Sequence, residues 1–176
     1  MEKTIKEESI YKGKILELKV LDVELPDKET SKREIVINAD AVVIIAFDKY
    51  DNMFFVKQYR KAIEDYLLEL PAGKIDPGES PEETAKRELA EEIGFTAKKM
   101  ELMFSIYSSP GFSKEKIYVF RAENLSEKSL DCDDDEFIEI VKIPYEQVLE
   151  YIKNNKIEDS KTIAAVLFYN QFRNNR

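Results

Sequence analysis

Residues 81–93, PEETAKRELAEEI, carry a helical period between stretches that read as strands, and that contrast restricts the possible folds more than any other feature. Ser80 stands where an N-cap belongs, Pro81 takes the first helical position, and Glu83 follows three residues after the cap, the pattern of a capping box. Gly94 supplies the stop. At roughly 100° per residue, Ala85, Leu89, Ala90 and Ile93 share an arc of about 140°, whereas Glu88, Glu91 and Glu92 occupy a separate arc of about 100°. The apolar arc has to be buried on a sheet, because one amphipathic helix cannot make a core alone. The acidic arc is the anomaly. Like charges at this spacing repel, and Arg87 is one guanidinium beside three carboxylates. A solvated acidic face is one explanation. A bound cation is the other: a loop carrying Gly73 and Gly78 can fold back and offer the backbone carbonyls that a hard, oxygen-liganded cation takes.

Around this helix, KILELKVLDVEL and REIVIN are predicted to form a hairpin across the turn PDKETSK. AVVIIAF is a continuous β-branched run and is predicted to be buried on both faces. MFFVKQYR is a further strand ending in Arg60, and LLELPAGKI follows, where Pro71 and Gly73 stop any helix. Beyond Gly94, KKMELMFSIYSS, KEKIYVFRAENL and EFIEIVKIP read as strands, and YEQVLEYIKNN and SKTIAAVLFYNQFRNN as amphipathic helices. The expected class is α+β, a sandwich of helices about a mixed sheet. A length of 176 residues suits one domain with a small N-terminal extension.

Composition narrows the chemistry. A formal charge of −9 argues against a general nucleic-acid binder, since phosphate backbones require stripes of Lys and Arg. There is no apolar run of membrane-spanning length, and the charged start MEKTIKEESIYKGK does not read as a signal peptide, so the cytoplasm is the expected compartment. Cys132 is the single cysteine and His is absent, which excludes intrachain disulfides, His-dependent nucleophilic triads and His-ligated zinc. Carboxylates remain as ligands and bases, a set suited to Mg²⁺, Mn²⁺ or Ca²⁺.

The spacing Gly73, five residues, Glu79, seven residues, Arg87-Glu88-Leu89, one residue, Glu91-Glu92, one residue, Gly94-Phe95 resembles the full signature of the Nudix hydrolases. The resemblance implies a loop-helix-loop that binds Mg²⁺ or Mn²⁺ and hydrolyses a nucleoside diphosphate linked to another group. It implies Glu79 and Arg87 as a structural pair, and Glu88, Glu91, Glu92 and the carbonyl of Ala72 as metal ligands, with Glu92 also catalytic. Pyrophosphate hydrolysis needs spreading negative charge neutralised and a water deprotonated near neutral pH, both suited to divalent ions.

Pro110, fifteen residues past Phe95 in the stretch SSPGF, is similar in position to a proline of the ADP-ribose pyrophosphatase subgroup. REIVINADAVVIIAFD, VKQYRKAI, ELPAG, SPGFSKE and DDDEFIEIVKI extend the likeness over nearly the whole chain after Tyr11. What the subgroup implies is hydrolysis of ADP-ribose to AMP and ribose 5-phosphate. GDP-mannose or a similar nucleotide sugar is the alternative substrate, and a non-catalytic nucleotide sensor the alternative role. It further implies Arg33, Arg60, Pro110 and Glu115 as substrate contacts and Glu136, in the acidic patch DCDDDE, as catalytic base. Asn38-Ala39-Asp40 departs from the subgroup, which often carries a His here. The resemblance also implies a homodimer, with residues 1–38 as a dimerising β-hairpin extension on a catalytic domain of residues 39–176.

Overall fold

The N-terminal run folds as an antiparallel meander of order β1-β2-β3, with β1 over Lys3–Lys12, β2 over Glu17–Glu24 and β3 over Thr30–Ile37. In this computed structural model, which describes residues 1–128, 130 and 137–173, the meander belongs to one of two compact units, Met1–Asp40 with Ile106–Ile117. The predicted β2–β3 hairpin is present: Leu25 N–H donates to Glu29 O at 2.8 Å and Lys28, at φ 76°, donates to Leu25 O at 3.0 Å. β1 is a strand that the charged terminus does not announce. All ten of its residues are exposed, and its register against β2 shifts between Thr4 and Lys6 and again between Ser9 and Tyr11. Each shift moves the following side chains to the other face, so no period-2 signal survives. The segment SPGF is tied to β3 by Val36 N–H donating to Phe112 O at 2.7 Å and Lys114 N–H to Val36 O at 3.3 Å.

The second unit runs from Ala41 to Ser105 and resumes at Tyr118. It holds β4 (Ala41–Ile45), β5 (Asn52–Arg60), β6 (Asp65–Glu69), β7 (Ala72–Lys74), α1 (Pro81–Ile93), most of β8 (Phe95–Tyr107) and β9 (Lys116–Glu127), β10 (Glu139–Pro144), α2 (Tyr145–Lys153) and α3 (Ser160–Phe172). One sheet has the order β7-β4-β9-β8, and an antiparallel sheet has the order β10-β5-β6. The fold is α+β, as the sequence predicts.

β4 is the hub. Val42, Ile44 and Ala46 pack with Ala85, Leu89 and Ile93 of α1, with Phe54 and Val56 of β5 and with Phe120 of β9. The alternate residues Val43 and Ile45 are equally buried, and α3 packs against the same strand. The continuous apolar run is thus buried on both faces, and each large side chain so buried contributes about 1.5–3 kcal/mol. Among the described residues no helix is long and apolar enough to cross a membrane.

Candidate active site

α1 is fixed at both ends by local chemistry. Ser80 Oγ accepts from Glu83 N–H at 3.3 Å while Ser80 N–H donates to the Glu83 carboxylate at 2.9 Å. Gly94, in the left-handed region at φ 75°, donates its N–H to Leu89 O. With Ala85, Leu89, Ala90 and Ile93 buried, the rotation of the helix is set, and the acidic arc follows from it. Glu88 and Glu92 are themselves buried, at 7% and 5% exposure, while Glu91 is half-buried.

The helix closes over β7. Glu92 accepts the Ala72 N–H at 2.8 Å. The Glu88 carboxylate lies against Gly73: a Cβ on that residue would stand 1.9 Å from Glu88 Oε1. The sequence reading puts Gly73 in a loop that folds tightly back, and here the structure differs, because Gly73 pairs with Val42 inside β7. Glycine is required there for room and not for backbone freedom. Gly78, at φ 96°, is the residue that occupies the turn.

Arg87 reaches the carboxylates whose spacing would otherwise leave them repelling one another. Its Nε donates to Glu79 Oε1 at 3.1 Å, its Nη2 to Glu79 Oε2 at 3.1 Å and to Lys74 O at 3.2 Å. Its Nη1 donates to Glu88 Oε1 and Glu91 Oε2, each at 2.8 Å. Thr84 Oγ1 adds a bond to Glu79 at 2.8 Å. The bond from Arg87, then that from Thr84, holds the Glu79 carboxyl below its ordinary value, and Glu79 in turn pushes the Arg87 guanidinium up. One guanidinium therefore hydrogen-bonds Glu79, Glu88 and Glu91 and pairs with Asp76 at 3.7 Å, while Glu92 accepts a peptide N–H.

This donor set fits a divalent cation of the hard class. Among the described residues no cluster of three or more acidic side chains is gathered around a common point. Yet Glu88, Glu91 and Glu92 share one helix face, Glu88 lies against Gly73 and Glu92 on the Ala72 N–H, and all offer oxygen. Arg87 Nη1 bonds Oε1 of Glu88 and Oε2 of Glu91, one oxygen of each carboxylate.

A second charged group lies outside the signature. Glu69, at 1% exposure, accepts from Arg60 Nε at 2.6 Å and Nη2 at 2.8 Å, and from Lys161 Nζ. Lys161 also pairs with Asp159 at 2.9 Å. Leu70 N–H donates to Thr162 Oγ1 at 2.9 Å. Sequence reasoning missed Glu69, Lys161 and Thr162. The available signal was an acid closing the apolar run LLE, which needs a cationic partner once buried. Arg60, predicted as a substrate contact, is held by Glu69, and the charge of Glu92 also acts on it. Its Nη1 makes no hydrogen bond within the described residues.

Burial drives the Glu69 carboxyl upward, but Arg60 and Lys161 outweigh it and the net shift is down from 4.5. A carboxyl depressed on folding lends stability above its unfolded pKa and loses it as pH falls through the folded one. Resistance to urea is expected to be level from pH 7 to about 5 and to fall below about 4.5, less steeply in Glu69→Gln. Equal acid slopes in variant and wild type would show that Glu69 does not carry the effect.

The remaining predicted contacts lie in the first unit. Arg33 donates Nε to Glu2 at 3.0 Å and Nη1 to Ser31 Oγ at 2.9 Å. Pro110 lines a cleft of about 620 Å³ with Asn38, Asp40, Tyr107, Lys114 and Lys116. Glu115 accepts from Asn38 Nδ2 at 3.0 Å, and Asp40 accepts from Lys116 N–H at 3.0 Å. The two polar residues of Asn38-Ala39-Asp40 thus tie down residues 115 and 116. Glu136 lies outside the described residues.

The sequence profile of the NUDIX domain matches residues 37–166. The methanol dehydrogenase activator of Bacillus methanolicus is 45% identical over 169 residues, covering 95% of this chain and 91% of that protein. The ADP-ribose pyrophosphatase of Bacillus subtilis (strain 168) is 44% identical with the same coverage. The crystal structure of an ADP compounds hydrolase matches with a TM-score of 0.90 at 23% identity, covering 99% of this chain and 95% of that one, a likeness of fold.

Proposed function

We propose that this chain, which belongs to the Nudix family, uses a divalent cation to hydrolyse the pyrophosphate bond of ADP-ribose, adding water to give AMP and ribose 5-phosphate. The observation that carries the reading is the closure of α1 on β7, with Glu88 against Gly73 and Glu92 on the Ala72 N–H. The identity to an ADP-ribose pyrophosphatase supports the choice of substrate. Glu88, Glu91, Glu92 and the carbonyl of Ala72 would hold Mg²⁺, with Mn²⁺ able to replace it. When bound, the cation neutralises charge on the phosphates and lowers the pKa of water.

The chain's own groups do the rest. Arg87 keeps Glu79 and the Lys74 carbonyl in place and orients Glu88 and Glu91. Arg60, oriented by Glu69, presents its outer nitrogen to a phosphate or to the base. Arg33, Pro110 and Glu115 are assigned to substrate recognition, and Glu136 to taking the proton from the attacking water.

Turnover of a panel containing ADP-ribose, GDP-mannose and other nucleoside diphosphates, with products identified by mass, tests the reading. AMP and ribose 5-phosphate should form with Mg²⁺ and not with EDTA. Preference for GDP-mannose would replace the substrate, and no turnover of any member would leave a nucleotide sensor. The likeness to a methanol dehydrogenase activator favours a second reading, in which the same site serves a partner dehydrogenase. Raised methanol dehydrogenase activity on adding the wild-type chain, lost with Glu92→Gln, would support it.

The same reading makes residues 1–38 a dimerising extension of the catalytic domain 39–176, with Arg33 completing the partner's substrate site. Its support is the exposed apolar surface of the N-terminal run, where Ile5, Ile10, Tyr11 and Ile15 are each more than half exposed. Sedimentation should give a homodimer, and a monomer at micromolar concentration would remove the proposal.

A further inference from the structure

We infer that the N-terminus of α3, through Thr162 and Lys161, positions the backbone on which the metal-side carboxylates rest; this deepens, and depends on, the metal-dependent reading above. The segment Leu70-Pro71-Ala72 crosses from β6 to β7, and its backbone groups bond to three different elements. Leu70 N–H donates to Thr162 Oγ1 of α3 at 2.9 Å, Pro71 O accepts from Ile44 N–H of β4 at 2.8 Å, and Ala72 N–H donates to Glu92 of α1 at 2.8 Å. Proline has no N–H to satisfy. The crossing is held on three sides, and Leu70 and Thr162 are both fully buried.

The same helix end grips the preceding residue. Lys161 bonds the buried Glu69 and pairs with Asp159, which caps α3 by accepting Thr162 N–H at 2.9 Å. Residues 69 and 70 are therefore anchored to neighbouring residues of one helix, 92 positions further along the chain. Loss of the Thr162 hydroxyl leaves the Leu70 N–H buried without its acceptor, and the chain must shift to find another. Any such shift moves Ala72, and with it the peptide that holds Glu92. Thr162 and Lys161 act through this backbone and are positioning residues.

The test is Mn²⁺ binding to the substrate-free full chain, followed by electron paramagnetic resonance of the free ion, with thermal unfolding recorded alongside. Thr162→Val keeps the shape and removes the acceptor; it is expected to weaken Mn²⁺ affinity by about 10-fold, in line with other groups that orient metal ligands. Thr162→Ser restores the hydroxyl and is expected to stay within about 3-fold of wild type. A purely structural role would lower the unfolding temperature and leave the folded chain's affinity unchanged. Unchanged affinity in Thr162→Val, or a loss that Thr162→Ser does not recover, overturns the inference. If Thr162→Val does not fold, Lys161→Met takes its place and Lys161→Arg that of the restoring variant: unchanged affinity in the first, or a loss that the second does not recover, again overturns the inference. A wild-type chain that takes up no Mn²⁺ overturns the metal reading and this inference together, whereas wild-type uptake with indifferent variants overturns the inference alone.

Discussion

Glu92→Gln is expected to lower turnover of ADP-ribose by at least about 10²-fold with the fold intact, equivalent to about 3 kcal/mol of lost electrostatic stabilisation. The variant isolates charge from structure. A glutamine Oε1 can still accept the Ala72 N–H that Glu92 accepts at 2.8 Å, so β7 stays tied to α1 while the negative charge is gone. Glu91→Gln should lose as much for the same reason, keeping an amide oxygen toward Arg87. Circular dichroism and kcat with saturating Mg²⁺ are the measurements. Normal kcat in both variants would remove α1 from the catalytic machinery.

Gly73→Ala should produce a loss of comparable size by a different route, at little cost to the fold. The added Cβ would stand 1.9 Å from Glu88 Oε1 and 2.0 Å from Cδ, so the carboxylate has to swing away from the β7 backbone. What it displaces is the end of a flexible side chain, and the strand conformation accepts alanine, so unfolding should shift by less than about 1.5 kcal/mol. Misplacement of a ligand by an ångström or more is expected to cost about 10²-fold in kcat/KM. Full activity in this variant would mean that Glu88 does not work from its position over Gly73.

These expectations mark which parts of the molecule were legible in its sequence. The bounds of α1 were readable because each is fixed by neighbours: Ser80 with Glu83 at one end, Gly94 at the other. β4 was readable because burial on both faces demands an uninterrupted apolar run. β1 was not, since its two register shifts erase alternation and it has no buried side to keep apolar. Arg87 was visible as a member of the signature, but its span across Glu79, Glu88 and Glu91 depends on how β7 and the following turn fold back. Glu69 was opaque for a stronger reason. One of its cationic partners is nine residues away and the other ninety-two, and no local pattern encodes the second.

That long separation has a consequence for how the protein is made. Synthesis proceeds from the N-terminus, so the strands and α1 emerge from the ribosome well before Lys161 and Thr162 do. Until then Glu69 lacks one of its counter-ions and Leu70 its acceptor, and closing so long a loop is itself entropically unfavourable. A nascent or prematurely terminated chain can already contain every residue of the Nudix signature and still lack the contacts that hold Leu70 in place. Fragments that end before Ser160 should therefore remain inert and open to proteolysis.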